Sequence, residues 1–404
     1  MEKENTLFLV FGICIHYTDV RGYEYFNALF LANGVLGVRD LWGNLAVRDS
    51  LESVGYLMPR KYVSGAIMDG PFTLLQGTLQ PKSTAEATQM VDSLYKKGAD
   101  FIKVYDDLSK DIYDAIATKC KQLGMPFVGH VPMSISAEYA SEMGRKSMEH
   151  LNGIWRSCTN KQEAIDSLQQ LFKENFLSNN LPAAVNSFTT INGMYSEFYN
   201  EAAANEIANT LSKNGTYVTP TLVLIDKHWR RKGGTFLEQK ANKYIPENLL
   251  TQWNPELSFP EKMFPPATWE AGQELLKTSS KITKIISENG VKLLAGSDCG
   301  VSYVTPGFSL HEELNMLVKE GLSNGEALQT ATINPAYFFG LADSLGTIAE
   351  SKYAELVILE NNPLDDISNT TSVDAIIKSG KLYNRAQLDS LLSQSAELAG
   401  KSEL

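Results

Sequence analysis

A lysine inside an apolar run is the first residue of chemical interest. Lys103 lies in the middle of the stretch FIKVY, whose β-branched and aromatic residues are typical of a buried strand. A charged lysine there is costly unless another group pairs with it or its chemistry changes. A desolvated lysine loses its proton more readily, and the neutral amine can add carbon dioxide to form a carbamate, an anionic oxygen ligand for metals. The alternative is a buried ion pair with Asp298 or Asp40.

Three further polar residues end strand-like runs in the same way. His130 lies in VGHVP, His150 in MEHL and Asp298 in AGSD. In a barrel of parallel strands, the residues that follow the strand ends meet at one rim, where active sites are built. Two imidazoles and a carboxylate at one rim predict a site for a divalent metal. With these residues present, the carbamate interpretation of Lys103 is favoured over the ion pair.

The elements that must position these residues alternate between strand-like and helix-like stretches, the pattern of βα proteins with parallel sheets. The strand candidates are 9–17, 34–40, 61–70, 101–107, 126–132, 146–151, 216–225 and 291–298. Eight such runs predict an α/β fold and, more specifically, a (β/α)8 TIM barrel.

The predicted barrel occupies residues 1–340. Two polar segments, 152–215 and 227–272, are expected to be insertions in it, the first helical and the second rich in loops. Residues 341–404 are expected to form a small, incomplete C-terminal β-unit, a short β-segment followed by a C-terminal helix. The apolar face of that unit would be covered by the helix, by a second subunit in a homo-oligomer, or not at all.

Composition and charge limit the kinds of molecule that the protein is expected to bind. The chain has 404 residues, of which 43% are hydrophobic, and a formal net charge of −11, which argues against nucleic acid or an anionic membrane as partner. Four dispersed cysteines give no disulfide framework. The apolar stretch TLFLVFGICI is too short to cross a bilayer and favours a buried strand over a secretion signal. We expect a cytoplasmic protein acting on a small molecule or dipeptide, or a secreted or periplasmic one if the full-length gene carries a signal.

The order of these motifs resembles the amidohydrolase superfamily, and most closely its imidazolonepropionase-like and prolidase-like branch. The resemblance extends over roughly residues 30–380, through the stretches GADFIKVY, GHVP, KSMEHL, VTPTLV, LLAGSD and ALQTATINPA. It implies a metal-dependent amidohydrolase that cleaves a C–N bond in an amide, cyclic amide or dipeptide. It also implies one or two divalent metals, usually zinc, bridged by carbamylated Lys103. His130 and His150 would be ligands, and Asp298 both a ligand and the catalytic proton shuttle.

The first strand departs from the family pattern. Members normally carry a His-x-His pair there, whereas this chain reads CIH, with Cys14 at the first position and His16 at the second. His16 is a candidate metal ligand. Cys14 is either a substitute thiolate ligand or, as we favour, a buried apolar filler. A lost ligand would leave a mononuclear-metal hydrolase or deaminase, or a catalytically impaired barrel, and these alternatives stay open.

Two residues are candidates for substrate binding. Tyr105 alternates to the same side as Lys103 and could offer its hydroxyl to a substrate carbonyl, or could simply pack in the barrel. His311, in the stretch FSLHEEL, follows the last strand and either contacts substrate or packs at the start of a helix.

Overall fold

The computed structural model describes residues 6–8, 11–14, 20–73, 75–258 and 261–401. These residues form two compact units. The first unit combines Met1–Tyr62, Thr221–Asn254 and Leu293–Leu404, and the second combines Val63–Pro220 and Pro255–Lys292.

Short strands alternate with helices, so the α/β class is confirmed. The described strands are β1 (Thr6–Phe8), β2 (Phe11–Cys14), β3 (Gly37–Asp40), β4 (Arg60–Val63), β5 (Ile102–Val104), β6 (Phe127–Gly129), β7 (Ser147–Glu149), β8 (Tyr217–Thr219), β9 (Leu356–Leu359), β10 (Val373–Lys378) and β11 (Lys381–Asn384).

The helices include several longer than ten residues. The described α-helices are α1 (Val20–Ala32), α2 (Leu45–Ser53), α3 (Thr84–Lys96), α4 (Lys110–Leu123), α5 (Ala137–Glu142), α6 (Ile154–Ser157), α7 (Gln162–Leu177), α8 (Leu181–Glu197), α9 (Glu201–Asn214), α10 (Leu222–Arg230), α11 (Glu247–Trp253), α12 (Pro266–Glu288), α13 (Phe308–Lys319), α14 (Asn324–Ala331), α15 (Ile333–Phe338) and α16 (Arg385–Lys401). Short 3-10 helices lie at Lys232–Gly234, Lys240–Tyr244, Glu261–Met263 and Ile367–Thr371. No helix in the described ranges is long and apolar enough to cross a bilayer.

An antiparallel sheet of order β1-β9-β10-β11 lies in the first unit. Its first strand comes from residues far away in sequence, because Thr6 pairs with Leu359. Val357 and Ile376 of this sheet share a buried apolar cluster with Leu31 of α1 and Leu388 of α16. The C-terminal helix therefore covers one face of the β-unit, and β1 lies along the β9 edge.

A parallel sheet of order β5-β6-β7-β8 forms the centre of the second unit. Hydrogen bonds from Met68 N to Lys103 O (2.9 Å) and from Tyr105 N to Met68 O (3.0 Å) continue it on the β5 side. On the β8 side, Val218 N donates to Lys292 O over 3.2 Å. Helices return the chain between these strands. α4, for example, ends at Gly124, which adopts the left-handed conformation that glycine favours at a helix C-terminus.

A third sheet has the order β2-β3-β4, and β2 runs parallel to β3. Seven of the eight predicted runs thus contain a described strand. The run at 291–298 does not, and only Leu293 forms a bridge there. The parallel strands and their helices agree with an α/β, TIM-barrel-like fold. An eight-stranded closed barrel remains a prediction.

The run at 216–225 is half strand and half helix. β8 ends at Thr219, and Pro220 follows, which has no N–H to donate to a ladder. From Leu222 the same apolar residues continue as α10, which was predicted wrongly as strand. The predicted insertion at 152–215 is helical, from α6 to α9, and residues 227–272 contain short helical turns. The predicted domain boundary near residue 340 stays a prediction.

Candidate functional site

Three of the predicted ligands come from neighbouring parallel strands of the second unit. Lys103 lies on β5, His130 directly follows β6 and His150 directly follows β7. The register pairs Val104 with Gly129 and Gly129 with Met148, so β5 and β6 end at the same level and β7 extends one residue further. Residues at the carboxyl ends of adjacent parallel strands face a common edge, where α/β proteins bind ligands.

Lys103 is completely buried. Its Nζ lies 5.7 Å from the ring centroid of Tyr105. Gly129 on β6 gives the lysine side chain room, since a Cβ atom at that position would lie 2.2 Å from Val104 O and 2.8 Å from Lys103 Cδ. Glycine is also required by the backbone, whose φ at Gly129 is +122°.

The imidazole of His130 is held from two sides. Its Nδ1 donates to Asp106 Oδ1 over 2.9 Å, and its ring stacks on Tyr105 with centroids 4.1 Å apart. Asn152 Nδ2 donates to the same carboxylate oxygen over 3.3 Å, which fixes Asp106 in turn. The His150 ring approaches His130 edge-on at 5.0 Å between centroids. A histidine whose Nδ1–H is bound by a carboxylate presents its Nε2 lone pair outward, as metal-ligating histidines do.

The surroundings of His130 Nε2 fit a metal ligand. This atom is buried and has no hydrogen-bond partner among the residues that the structure describes. Burial and the charge of Lys103 hold the pKa of His130 well below its usual value. The ring is therefore neutral near pH 7, which is the form that binds metals.

A buried arginine fixes the backbone on which His130 stands. Arg145 is 1% exposed, and its Nη1 donates to Gly129 O (2.8 Å) and to His130 O (2.5 Å). Its Nε donates to the hydroxyl of Tyr113 over 3.1 Å. Two carbonyls at the end of β6 are thereby satisfied by one side chain, so the position of His130 is set by the protein before any ligand binds.

Backbone strain occurs at two of the predicted ligands. His150 has φ of +59°, and its N–H donates to Thr219 O over 2.9 Å. Asp298, in the first unit, has φ of +52° and is 6% exposed. Residues other than glycine adopt this left-handed conformation at a cost, and such strain concentrates at functional sites.

His311 lies in the first unit. Both ring nitrogens of His311 are engaged, Nε2 by Asn33 O and Nδ1 by Thr370 Oγ1, each at 3.0 Å. Burial lowers the pKa of His311 to about 4. These bonds favour the packing role, and a substrate-binding role stays a prediction. His16 lies outside the described residues, and Cys14 is the last residue of β2.

Sequence reasoning missed Asp106, Asn152 and Arg145. Asp106 carried a weak signal, since it is the second residue after β5, but nothing in the pattern connects it with His130. Among the described residues, no group of three or more His, Cys, Asp or Glu side chains is arranged to hold a metal ion.

A cavity of about 400 Å³, here called the aromatic pocket, lies beside these residues in the second unit. Tyr105, Asp106 and Asn152 border it on the His130 side. Its remaining walls carry mostly apolar and aromatic side chains, including Phe72, Trp155, Phe172, Phe188 and Tyr195.

Known proteins resemble this chain in sequence and in fold. The model of the amidohydrolase family matches residues 107–383, more than half of the chain. Bottromycin amidohydrolase is similar in structure, with a TM-score of 0.75 and 22% identity over 98% of this chain and 81% of that one. A Xaa-Pro dipeptidase with bound methionine is similar with a TM-score of 0.64 and 18% identity, over 94% of this chain and 87% of the dipeptidase. A. niger ochratoxinase is similar with a TM-score of 0.64 and 17% identity, over 94% of this chain and 83% of the ochratoxinase.

At these identities the structural matches establish a shared fold and nothing further. The family model, which covers the loops after β6 and β7, confirms the resemblance seen in the order of the motifs. The chain belongs to the amidohydrolase family.

Proposed function

We propose that this protein is a metal-dependent hydrolase that cleaves the C–N bond of a small amide, cyclic amide or dipeptide by addition of water. Family membership supports a hydrolase acting on such bonds. The observation that carries the metal dependence is His130, whose Nδ1 is bound by Asp106 while Nε2 is buried without a protein partner in the described part of the chain.

The proposed ligands are His130, His150 and Lys103. Imidazole nitrogens and anionic oxygen suit zinc, so zinc is the metal that we propose, as one or two ions. Lys103 supplies the oxygen ligand once its neutral Nζ forms a bond to the carbon of carbon dioxide and releases a proton. When bound, the metal polarises the scissile carbonyl and brings the pKa of a water molecule toward neutrality.

The other residues of the proposal act on protons and on substrate. Asp298 would accept a proton from the attacking water and return it to the leaving nitrogen, so that no net proton is consumed. Asp106 keeps His130 in the tautomer that leaves Nε2 unprotonated. The hydroxyl of Tyr105 would donate a hydrogen bond to the substrate carbonyl. The roles of Asp298 and His16, and an eight-stranded barrel with one rim, rest on the order of motifs along the chain.

Metal content tests the proposal directly. We would measure zinc by elemental analysis after purification without chelators and with bicarbonate, in the wild type and in Lys103→Ala, with the exposed Lys110→Ala as the matched control. Retention of ¹³C-bicarbonate by the wild type, detected by NMR, would report the carbamate. The wild type is then screened against dipeptides and cyclic amides.

The proposal expects one or two zinc ions in the wild type, loss of at least one in Lys103→Ala, and hydrolysis by the wild type and by Lys110→Ala. One ion that survives Lys103→Ala would replace it by a mononuclear hydrolase or deaminase. A protein that binds no metal under these conditions would overturn it.

A further inference from the structure

We infer that the aromatic pocket receives an aromatic, uncharged side chain of the substrate, so that the enzyme prefers amides next to an aromatic residue. This inference rests on the proposed function and names the substrate class for the same site. It depends on three features of the pocket: its place beside His130, its walls and its charge.

The place of the pocket ties it to the proposed chemistry. Tyr105 stacks on His130, Asp106 binds its Nδ1, and both residues border the cavity. Asn152, which donates to Asp106, borders it as well. A group lodged in the pocket therefore lies next to the side chains that orient His130, as a substituent flanking the scissile amide would.

The walls suit a planar ring. Phe72 and Phe172 are 6.2 Å apart in an edge-to-face arrangement, Phe172 and Phe188 are also 6.2 Å apart, and Trp155 lies 5.8 Å from Tyr195. Aromatic rings attract one another at such separations of about 4.5–7 Å. The volume of about 400 Å³ lies within the range of roughly 300–1,000 Å³ that small-molecule sites occupy.

The charge of the pocket excludes an acidic side chain. Among its described lining residues, Arg156 is the only basic one, and its guanidinium is already bound by both carboxylate oxygens of Asp166. The acidic residues in the lining are Asp69 and Asp106. Asp69 Oδ1 accepts from Gly70 N and Asp107 N, each over 2.8 Å. A carboxylate entering the pocket would meet these acids without a free cation to pair with.

The selecting residues lie outside the strands. Phe172 and Phe188 belong to α7 and α8, while Phe72 belongs to the loop that precedes α3. The strand ends thus hold the proposed chemistry, and the helical segment after β7 holds the preference for the substrate, a division that α/β barrels commonly use.

The test compares dipeptides that differ at one position. The zinc-loaded enzyme is assayed on glycyl dipeptides that carry Phe, Leu, Ala or Asp, in both orders, and kcat/KM is measured. Binding of N-acetylphenylalaninamide and N-acetylalaninamide is measured separately by calorimetry. We expect Phe to exceed Ala by about tenfold or more, as a well-fitted apolar pocket allows, and Asp to be the poorest residue.

Three variants locate the effect. Phe172→Ala removes a wall, and Leu75→Trp fills the cavity from a half-buried lining position. Both should reduce the ratio of Phe to Ala to within a few-fold. Leu171→Ala is the control, since Leu171 precedes Phe172 on α7, is 46% exposed and does not line the cavity. Circular dichroism and thermal unfolding establish that each variant is folded.

The outcomes separate the two proposals. Hydrolysis without preference for Phe, or an equal effect of Leu171→Ala, overturns the pocket assignment and leaves the proposed function intact. Selective binding of the phenylalanine amide without hydrolysis of any substrate supports the pocket and contradicts the proposed function. Neither hydrolysis nor selective binding contradicts both.

Discussion

Asp106→Asn is the substitution that best tests how His130 is oriented. The change keeps the size of the side chain and removes the negative charge that accepts from His130 Nδ1 at 2.9 Å. A neutral acceptor binds an N–H less strongly than a carboxylate does, and an amide that turns its NH2 toward Nδ1 favours the tautomer that protonates Nε2. We therefore expect weaker metal binding with little change in folding.

The size of the effect follows from the exposure of the carboxylate. Losing the group that supports a metal-binding histidine costs about 10- to 100-fold in metal affinity. The Asp106 side chain is 34% exposed, so solvent weakens its interaction with the ring. This places Asp106→Asn near the lower limit, at about tenfold or roughly 1.4 kcal/mol.

A competition titration with a chromogenic chelator measures this affinity in the wild type and the variant. Asp114→Asn is the control, because Asp114 lies on α4 and bonds Tyr139 and Lys110. Equal zinc affinity in Asp106→Asn and the wild type would refute the orienting role, and so would an equal loss in Asp114→Asn.

Three further predictions concern stability. Gly129→Ala should cost about 2–6 kcal/mol by urea unfolding, from backbone strain and from the contact with Val104 O, whereas Gly144→Ala, with φ of +87° and open space, should cost about 1–2 kcal/mol. Burial raises the pKa of Glu313 from 4.5 to about 8. The native state therefore holds a proton that the unfolded chain has lost, and stability should fall from about pH 4.5 to 8, a slope that Glu313→Gln should lack. Leu388→Ala should lower the free energy of unfolding by about 2–5 kcal/mol, because Leu388 packs in the buried cluster between α16 and the sheet. Leu398, on the same helix, is 41% exposed, so Leu398→Ala should lower it by less than about 0.5 kcal/mol. Equal losses would contradict the packing of α16 through Leu388.

Local sequence pattern was enough to single out two of the candidate ligands. Lys103 and His130 each stand at the end of an apolar run, and a polar residue there is visible without any tertiary knowledge. The parallel register of β5 and β6 then brings them to one edge. The run at 216–225 misled because its leucines and valines fit a strand as well as a buried helix, and Pro220 decides between them.

Asp106 and Arg145 were invisible for a different reason. Asp106 is 24 positions from His130 along the chain, and an acidic residue after a strand is ordinary. Arg145 lies in a turn before β7, where a basic residue is equally ordinary, yet it is buried and bonds two carbonyls at the end of β6. Their roles come from tertiary contacts, which a single sequence does not encode locally.

The pairing of β1 with β9 has a consequence for how the protein is made. Thr6 pairs with Leu359, about 350 positions later in the chain. Ribosomes add about 5–20 residues per second, so β1 waits roughly 20–70 s before its partner is synthesised. All residues of the second unit, up to Lys292, leave the ribosome before β9 does. The second unit can therefore fold while the strand at residues 6–8 is still without its partner, and chaperones have a defined interval in which to protect it.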